Sequence, residues 1–198
     1  MTRASHTRRF SATAAALAAM VFSAACSSEE PSSPASGAGE TALSALGLED
    51  ASGQELVEEL ERLPLKERPT DFVASVETEA VVMINEDGNE SSVPLPEDEF
   101  YLSVAPYVDQ THECFFHSLT TCVGEMGNEE LEVSVIDEDT GEVLLDEPVQ
   151  TEDNGFFGLW LPRDIEAELI IEYDGLRSSA PISTREGDPT CLTTSHLR

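Results

Sequence analysis

From Leu43 to Leu63 the apolar residues recur with the period of a helix. Leu56, Val57, Leu60 and Leu63 form one stripe, and Glu55, Glu58, Glu59 and Glu61 are read on the opposite side. Ser52, with Glu55 three residues later, has the spacing of a capping box, in which each side chain satisfies a backbone N–H that the first turn leaves free. Pro64 and Pro69 stop the helix, because proline has no N–H to donate and its ring crowds the preceding turn. Alternation takes over after that. Val76 to Ile84 reads as one strand and Glu86-Asp87-Gly88-Asn89 as the tight turn after it, while Pro94 and Pro96 break the next piece. Phe100 to Ala105 is a further strand, and it leads into a segment rich in cysteine and histidine.

Beyond Gly127-Asn128 short strands repeat: Leu131 to Ile136, Val143 to Val149, Phe156 to Leu161, Ala167 to Tyr173 and Ser178 to Ser183. Asp139-Thr140-Gly141, Asp153-Asn154-Gly155 and Asp174-Gly175 punctuate them with residues that tolerate turn conformations. The pattern predicts an α+β protein: a small N-terminal helical and strand region over residues 41–99, then the Cys/His segment and a mainly antiparallel β-sandwich over 100–198. The sandwich is expected to be immunoglobulin-like or transthyretin-like. Trp160, in an apolar strand, is read as core. No internal repeat suggests a solenoid.

The first 25 residues are a targeting segment and contribute nothing to the fold. Arg3, Arg8 and Arg9 precede the apolar run Ala12 to Phe22, and Ser23-Ala24-Ala25 stands before Cys26. This order resembles a bacterial lipoprotein signal whose cysteine is acylated, with Ser23 in place of the usual Leu. The expectation is an exported protein, lipid-anchored through Cys26 on the extracytoplasmic face of the membrane or released into the periplasm. Residues 26–40, rich in Ser, Pro, Gly and Ala, read as a flexible tether. The apolar run is too short for a spanning helix.

Charge narrows the partners. Removing residues 1–25 takes away three arginines and no acid, leaving 40 acidic against 7 basic side chains and a net charge near −33. So negative a surface repels nucleic acid and anionic lipid, which leaves the lipid anchor as the only membrane contact. Acids alone do not make a metal site, and Asp137-Glu138-Asp139-Thr140-Gly141 lacks the later ligands of an EF-hand loop.

Three cysteines remain in the exported part once Cys26 is set aside: Cys114, Cys122 and Cys191. Disulfides consume cysteines in pairs, so one thiol is left over in an oxidising compartment. Cys114 and Cys122 share the segment Thr111 to Cys122 with His112 and His117, two of the four histidines. Soft sulfur beside imidazole suits a soft metal ion. Zinc prefers four ligands with closely paired cysteines or histidines, a spacing this segment lacks. Copper(I) accepts two or three soft ligands, and three sulfurs converging from two segments fit it better. His117 is the favoured nitrogen ligand, because Ser118 to Thr121 reads as a turn carrying the chain back to Cys122. His112, which shares a side with Cys114 if the segment is extended, is the weaker ligand candidate, with orienting the loop as its other role, and Met126 is read as packing. A thiol pair could also surrender two electrons and reduce copper(II) to copper(I). Spacing leaves a second reading open, in which Cys114 or Cys122 pairs with Cys191 in a structural bridge and one thiol is spare.

The segments Tyr101 to Tyr107, Thr111 to Cys122, Asp153 to Pro162 and Thr190 to Thr194 together resemble the CueP family of copper-binding proteins of the bacterial cell envelope, with the likeness running from about Leu43 to Leu197. The resemblance implies copper binding outside the cytoplasm, a part in copper tolerance, and delivery to a periplasmic copper/zinc superoxide dismutase or another cuproenzyme. It also implies that Cys114, Cys122 and Cys191 are the copper ligands and redox thiols. The acidic excess has no place in those motifs. The reading is a binding protein without substrate turnover. Set against it is a disulfide-fastened lipoprotein that docks a protein partner without metal. A thiol–disulfide oxidoreductase is disfavoured, since no Cys-x-x-Cys opens a helix to lower a thiol pKa. A homodimer is compatible with the sequence, which sets no oligomeric state.

Overall fold

The structure is a computed structural model that describes residues 43–198; the targeting segment and the whole tether, Cys26 included, lie outside the described residues. Helix α1 spans Gly53–Arg62, and its capping box forms as the sequence predicts, with Ser52 accepting from the Glu55 N–H and Glu55 accepting from the Ser52 N–H. It ends at Leu63, just before Pro64. Leu56, Val57 and Leu60 are fully buried. Glu61 is buried with them, contrary to the expectation that it faces outward. It stands four residues after Val57, so the helical period itself carries it round to the apolar side.

The region read as one strand from Val76 to Ile84 is a hairpin. β1 (Phe72–Val76) and β2 (Ala80–Asn85) pair antiparallel, and the Glu77 N–H closes the turn onto the Ala80 carbonyl. β3 (Glu90–Pro94) follows on the outer edge, where Pro94 needs no ladder partner for a missing N–H. β4 (Glu99–Val104), β5 (His117–Ser118), β6 (Glu130–Asp137), β7 (Val143–Gln150), β8 (Phe157–Pro162), β9 (Glu166–Tyr173), β10 (Leu176–Ser183) and β11 (Cys191–Leu192) complete the order. Asp174 and Gly175, both at positive φ, make the two-residue turn between β9 and β10.

Three sheets result, in the orders β3-β2-β1-β5, β10-β9-β6-β7 and β11-β4-β8. The α+β, mainly antiparallel architecture is therefore present. The four-stranded β10-β9-β6-β7 sheet packs on the three-stranded one through Phe100, Leu102, Val104, Val133, Val135, Phe157, Leu159, Leu169 and Ile171. Each such side chain taken from water contributes roughly 1.5–3 kcal/mol before entropy is counted. Strand β4 is covered on its other face as well: Tyr101 joins a second core with Leu56, Leu60, Phe72, Val76 and Leu119. Trp160 is half-buried against that core, with its ring 4.9 Å from Tyr101. Gly158 is required there, since a methyl group at this position would run into the Tyr101 ring.

Two very short strands tie the halves together. β5, from the Cys/His segment, pairs with β1 at the edge of the N-terminal sheet. β11 pairs in parallel with β4 in the middle sheet. The Thr190 hydroxyl donates to the Val76 carbonyl and accepts the His117 N–H, and the Cys191 N–H donates to the Phe115 carbonyl. The seam between the two sheets is where Cys191 meets His117. No helix among the described residues is long and apolar enough to cross a membrane.

Candidate metal centre

Three loops and two strands supply the centre. After β4 the chain runs through an irregular stretch that the Glu125 carboxylate holds in place by accepting the backbone N–H groups of Val108, Asp109 and Gln110 at 2.9, 3.0 and 3.1 Å. It delivers His112 and Cys114 to the surface, and β5 then turns His117 inward. The chain reverses between Ser118 and Cys122, with the Cys122 N–H donating to the Ser118 carbonyl at 3.1 Å. That is the turn the sequence indicates. The Gly124 and Gly155 backbones lie so close that a Cβ on either would clash with the other, which presses the Cys122 loop onto the Asn154 turn.

All three cysteines meet. Cys114 and Cys191, 77 residues apart, form a disulfide with their Cα atoms 5.6 Å from each other. Loop-closure entropy alone assigns such a bridge about 4 kcal/mol. Cys122 is the free cysteine among the described residues, and its Sγ lies 3.7 Å from Cys114 Sγ. Cys191 Sγ is 3.9 Å from His117 Nδ1. Two donor sets, each within 4.8 Å internally, therefore share Cys122: an inner one of His117, Cys122 and Cys191, and an outer one of His112, Cys114 and Cys122. His117 and Cys191 are buried, whereas His112 is exposed. His112, the weaker ligand candidate by sequence, thus also stands with sulfurs. Met126 is buried in the sandwich core and belongs to neither set. A cleft of about 660 Å³ lined by Tyr107, His112, Cys114 and Phe115 opens onto the outer set.

Charge is concentrated behind the ring. Glu61 Oε2 lies 2.8 Å from His117 Nε2, Asn154 donates to Glu61 Oε1 at 2.6 Å, and Arg68 Nη2 stands 3.6 Å from that same oxygen. Burial alone would raise the Glu61 pKa, but His117, Asn154 and Arg68 outweigh it and the net shift is downward. Burial likewise opposes a charged His117, yet Glu61 and Cys122 lift its pKa to about 9. The Cys122 thiol, raised by partial burial, is brought below its usual value by His117 and by the Ser118 N–H at 3.3 Å. The arrangement favours an imidazolium–thiolate pair.

Glu61, Arg68 and Asn154 do not figure among the residues picked out from sequence. The available signal was the acid at the apolar side of α1; Arg68 between two prolines and Asn154 in a turn carry none.

The pair leads to a direct expectation. Stability due to the His117 proton is complete below about pH 6.5 and is lost as pH rises through about 9. The lowered Cys122 thiol works the other way over the same interval, being worth most above its unfolded value. Overall stability reads only their difference, whereas thiol reactivity isolates one partner. Iodoacetamide labelling of Cys122, followed by mass spectrometry of its peptide, should show a pH midpoint below that of an ordinary thiol. His117→Ala should move the midpoint upward; an unchanged midpoint would remove His117 as the cause.

Comparison with known proteins fits this geometry. The model of the family described as "Periplasmic copper-binding protein CueP" matches residues 55–196. The chain belongs to the CueP family. A solved chain described as "Crystal Structure of S.CueP" is 35% identical, with a TM-score of 0.74, over 82% of this chain and 98% of that one. No curated protein matches the chain. The matched CueP region takes in α1 from Glu55 onward, both short seam strands and every residue of the two donor sets.

Proposed function

We propose that this CueP-family protein captures copper outside the cytoplasm and holds it as Cu(I) through Cys114, Cys122 and Cys191, with His117 Nδ1 as a fourth donor. The observation that carries the reading is the convergence of three sulfurs at the seam, with one imidazole in each of the two donor sets that share Cys122. Soft sulfur with imidazole nitrogen suits Cu(I), and a buried inner position beside Phe156 and Ala105 excludes the water that a harder ion retains. Only thiolates ligate strongly, so the disulfide is the closed form of the centre and its reduction opens it.

The same sulfurs give the redox step. Two thiolates, from Cys114 and Cys191, pass one electron each to two copper(II) ions, forming the disulfide and two copper(I) ions. Reduction and tight holding use the same atoms, so one molecule does one or the other until its bridge is reduced again. The protein acts as a carrier without turnover of a substrate. It is exported and anchored through an acylated Cys26, and it passes copper to a periplasmic copper/zinc superoxide dismutase or another secreted cuproenzyme.

The disulfide also favours a second reading, a bridge-stabilised lipoprotein that docks a partner through the exposed Phe115, Phe116 and Val123. A competition titration of fully reduced protein against a Cu(I) chelator separates the two. Replacing Cys114, Cys122 or Cys191 singly by Ser should lower Cu(I) affinity more than about 100-fold, beyond what loss of a supporting residue costs. Under the second reading Cys122→Ser changes nothing. Adding copper(II) to reduced protein should consume two thiols per two copper(I) formed, and an unchanged thiol count would end the redox claim.

A further inference from the structure

Glu61 is an acid placed where the helix otherwise presents Leu56, Val57 and Leu60 to the core. Burying a carboxylate is costly unless every partner is in place, and here the partners form a directed chain. The Phe156 N–H donates to Asn154 Oδ1 at 3.1 Å, which fixes the orientation of the Asn154 amide. Its Nδ2 then donates to Glu61 Oε1, close to the Arg68 guanidinium. That leaves Glu61 Oε2 facing His117 Nε2 at 2.8 Å, with the Tyr101 hydroxyl 3.5 Å away. Phe156, whose ring centroid is 4.6 Å from that of His117, covers the imidazole.

We infer that Glu61 is the positioning residue of the centre: by keeping a hydrogen on Nε2 of His117 it makes Nδ1 the nitrogen that ligates copper. An ionised carboxylate only accepts hydrogen bonds, so the ring nitrogen facing it must carry a hydrogen. When copper displaces the one ring proton that Glu61 does not hold, the nitrogen laid bare is Nδ1, which looks toward Cys191 Sγ at 3.9 Å in the donor set that also holds Cys122. A neutral imidazole without this partner divides between two tautomers, one of which turns an N–H toward the sulfurs. Hydrogen bonding at the far nitrogen is a general means of orienting a histidine ligand. The inference rests on His117 binding copper.

Glu61→Gln inverts the pattern at almost constant shape. The Gln oxygen takes the place beside Asn154 and Arg68, so its amide donates to His117 Nε2 and the ring hydrogen moves to Nδ1. Long-range proton–nitrogen NMR of the metal-free protein should show Nε2 protonated in the wild type and stripped of its hydrogen in Glu61→Gln. Cu(I) affinity of the reduced variant should fall about 10- to 100-fold. In a His117→Ala background the same substitution should change affinity less than about twofold, because the two residues act as one unit. An equal loss in that background would show that Glu61 acts through the fold and would overturn the inference. So would a wild-type spectrum with Nε2 bare, which decides the matter even if Glu61→Gln fails to fold. Failure of the reduced wild type to bind Cu(I) would bring down the copper reading and this ligand assignment together. Binding with Nε2 bare would overturn the role of Glu61 alone.

Discussion

Closing the Cys114–Cys191 bridge is expected to lower Cu(I) affinity by at least about a thousandfold, about 4 kcal/mol. A disulfide sulfur bears no thiolate charge and donates weakly. In the bridged form the inner set retains Cys122 and His117, and the outer set retains Cys122 and His112. Losing a supporting hydrogen bond to a ligand costs 10- to 100-fold, and here two ligands are lost at once. Anaerobic competition against a chromophoric chelator checks it, run on the same preparation when fully reduced and again after a two-electron thiol oxidant has closed the bridge and been removed. Equal affinities would mean that the metal is held elsewhere.

Arg68→Ala is expected to cost about 3–5 kcal/mol of folding stability, the loss seen when one partner of a buried ion pair is removed. Arg68 is almost completely buried, and its donors reach the carbonyls of Leu63, Leu119 and Glu61 at 3.2, 2.7 and 2.9 Å. It therefore joins the end of α1 to the turn that follows His117 while neutralising Glu61. Removing it leaves three carbonyls unsatisfied and the carboxylate dependent on His117 and Asn154. With a urea dependence of roughly 1–3 kcal/mol per molar, the unfolding midpoint should drop by more than about 1 M. A change below about 1 kcal/mol would show that water replaces the guanidinium at no penalty. Copper affinity should fall in parallel, because the same contact sets the distance between α1 and the ring.

The long elements were legible in the sequence because their periodicity is strong. The capping box of α1, the alternation in β6 and β9, and the Asp174-Gly175 turn each state a local preference that the fold honours. The hairpin at Glu77 to Glu79 is hidden because its turn, Glu77-Thr78-Glu79, holds no glycine, proline, asparagine or aspartate to mark it. β5 and β11 were invisible for another reason: two residues have no period, and what holds them is tertiary, through β1, β4 and the Thr190 hydroxyl. The three cysteines and His117 could be picked out by residue chemistry. The pairing of Cys114 with Cys191 could not, because spacing allowed Cys122 equally well. Counting acids as solvent-facing puts Glu61 outward, although its spacing of four from Val57 places it inward.

The seam has a consequence for how the molecule matures. His117 and Cys191 are brought together only when two sheets dock, so a nascent chain has no local precursor of the inner pocket. Until then its soft donors are scattered, and any ion they hold exchanges freely. Secure loading is thereby deferred to the end of folding, when the cargo has a single address.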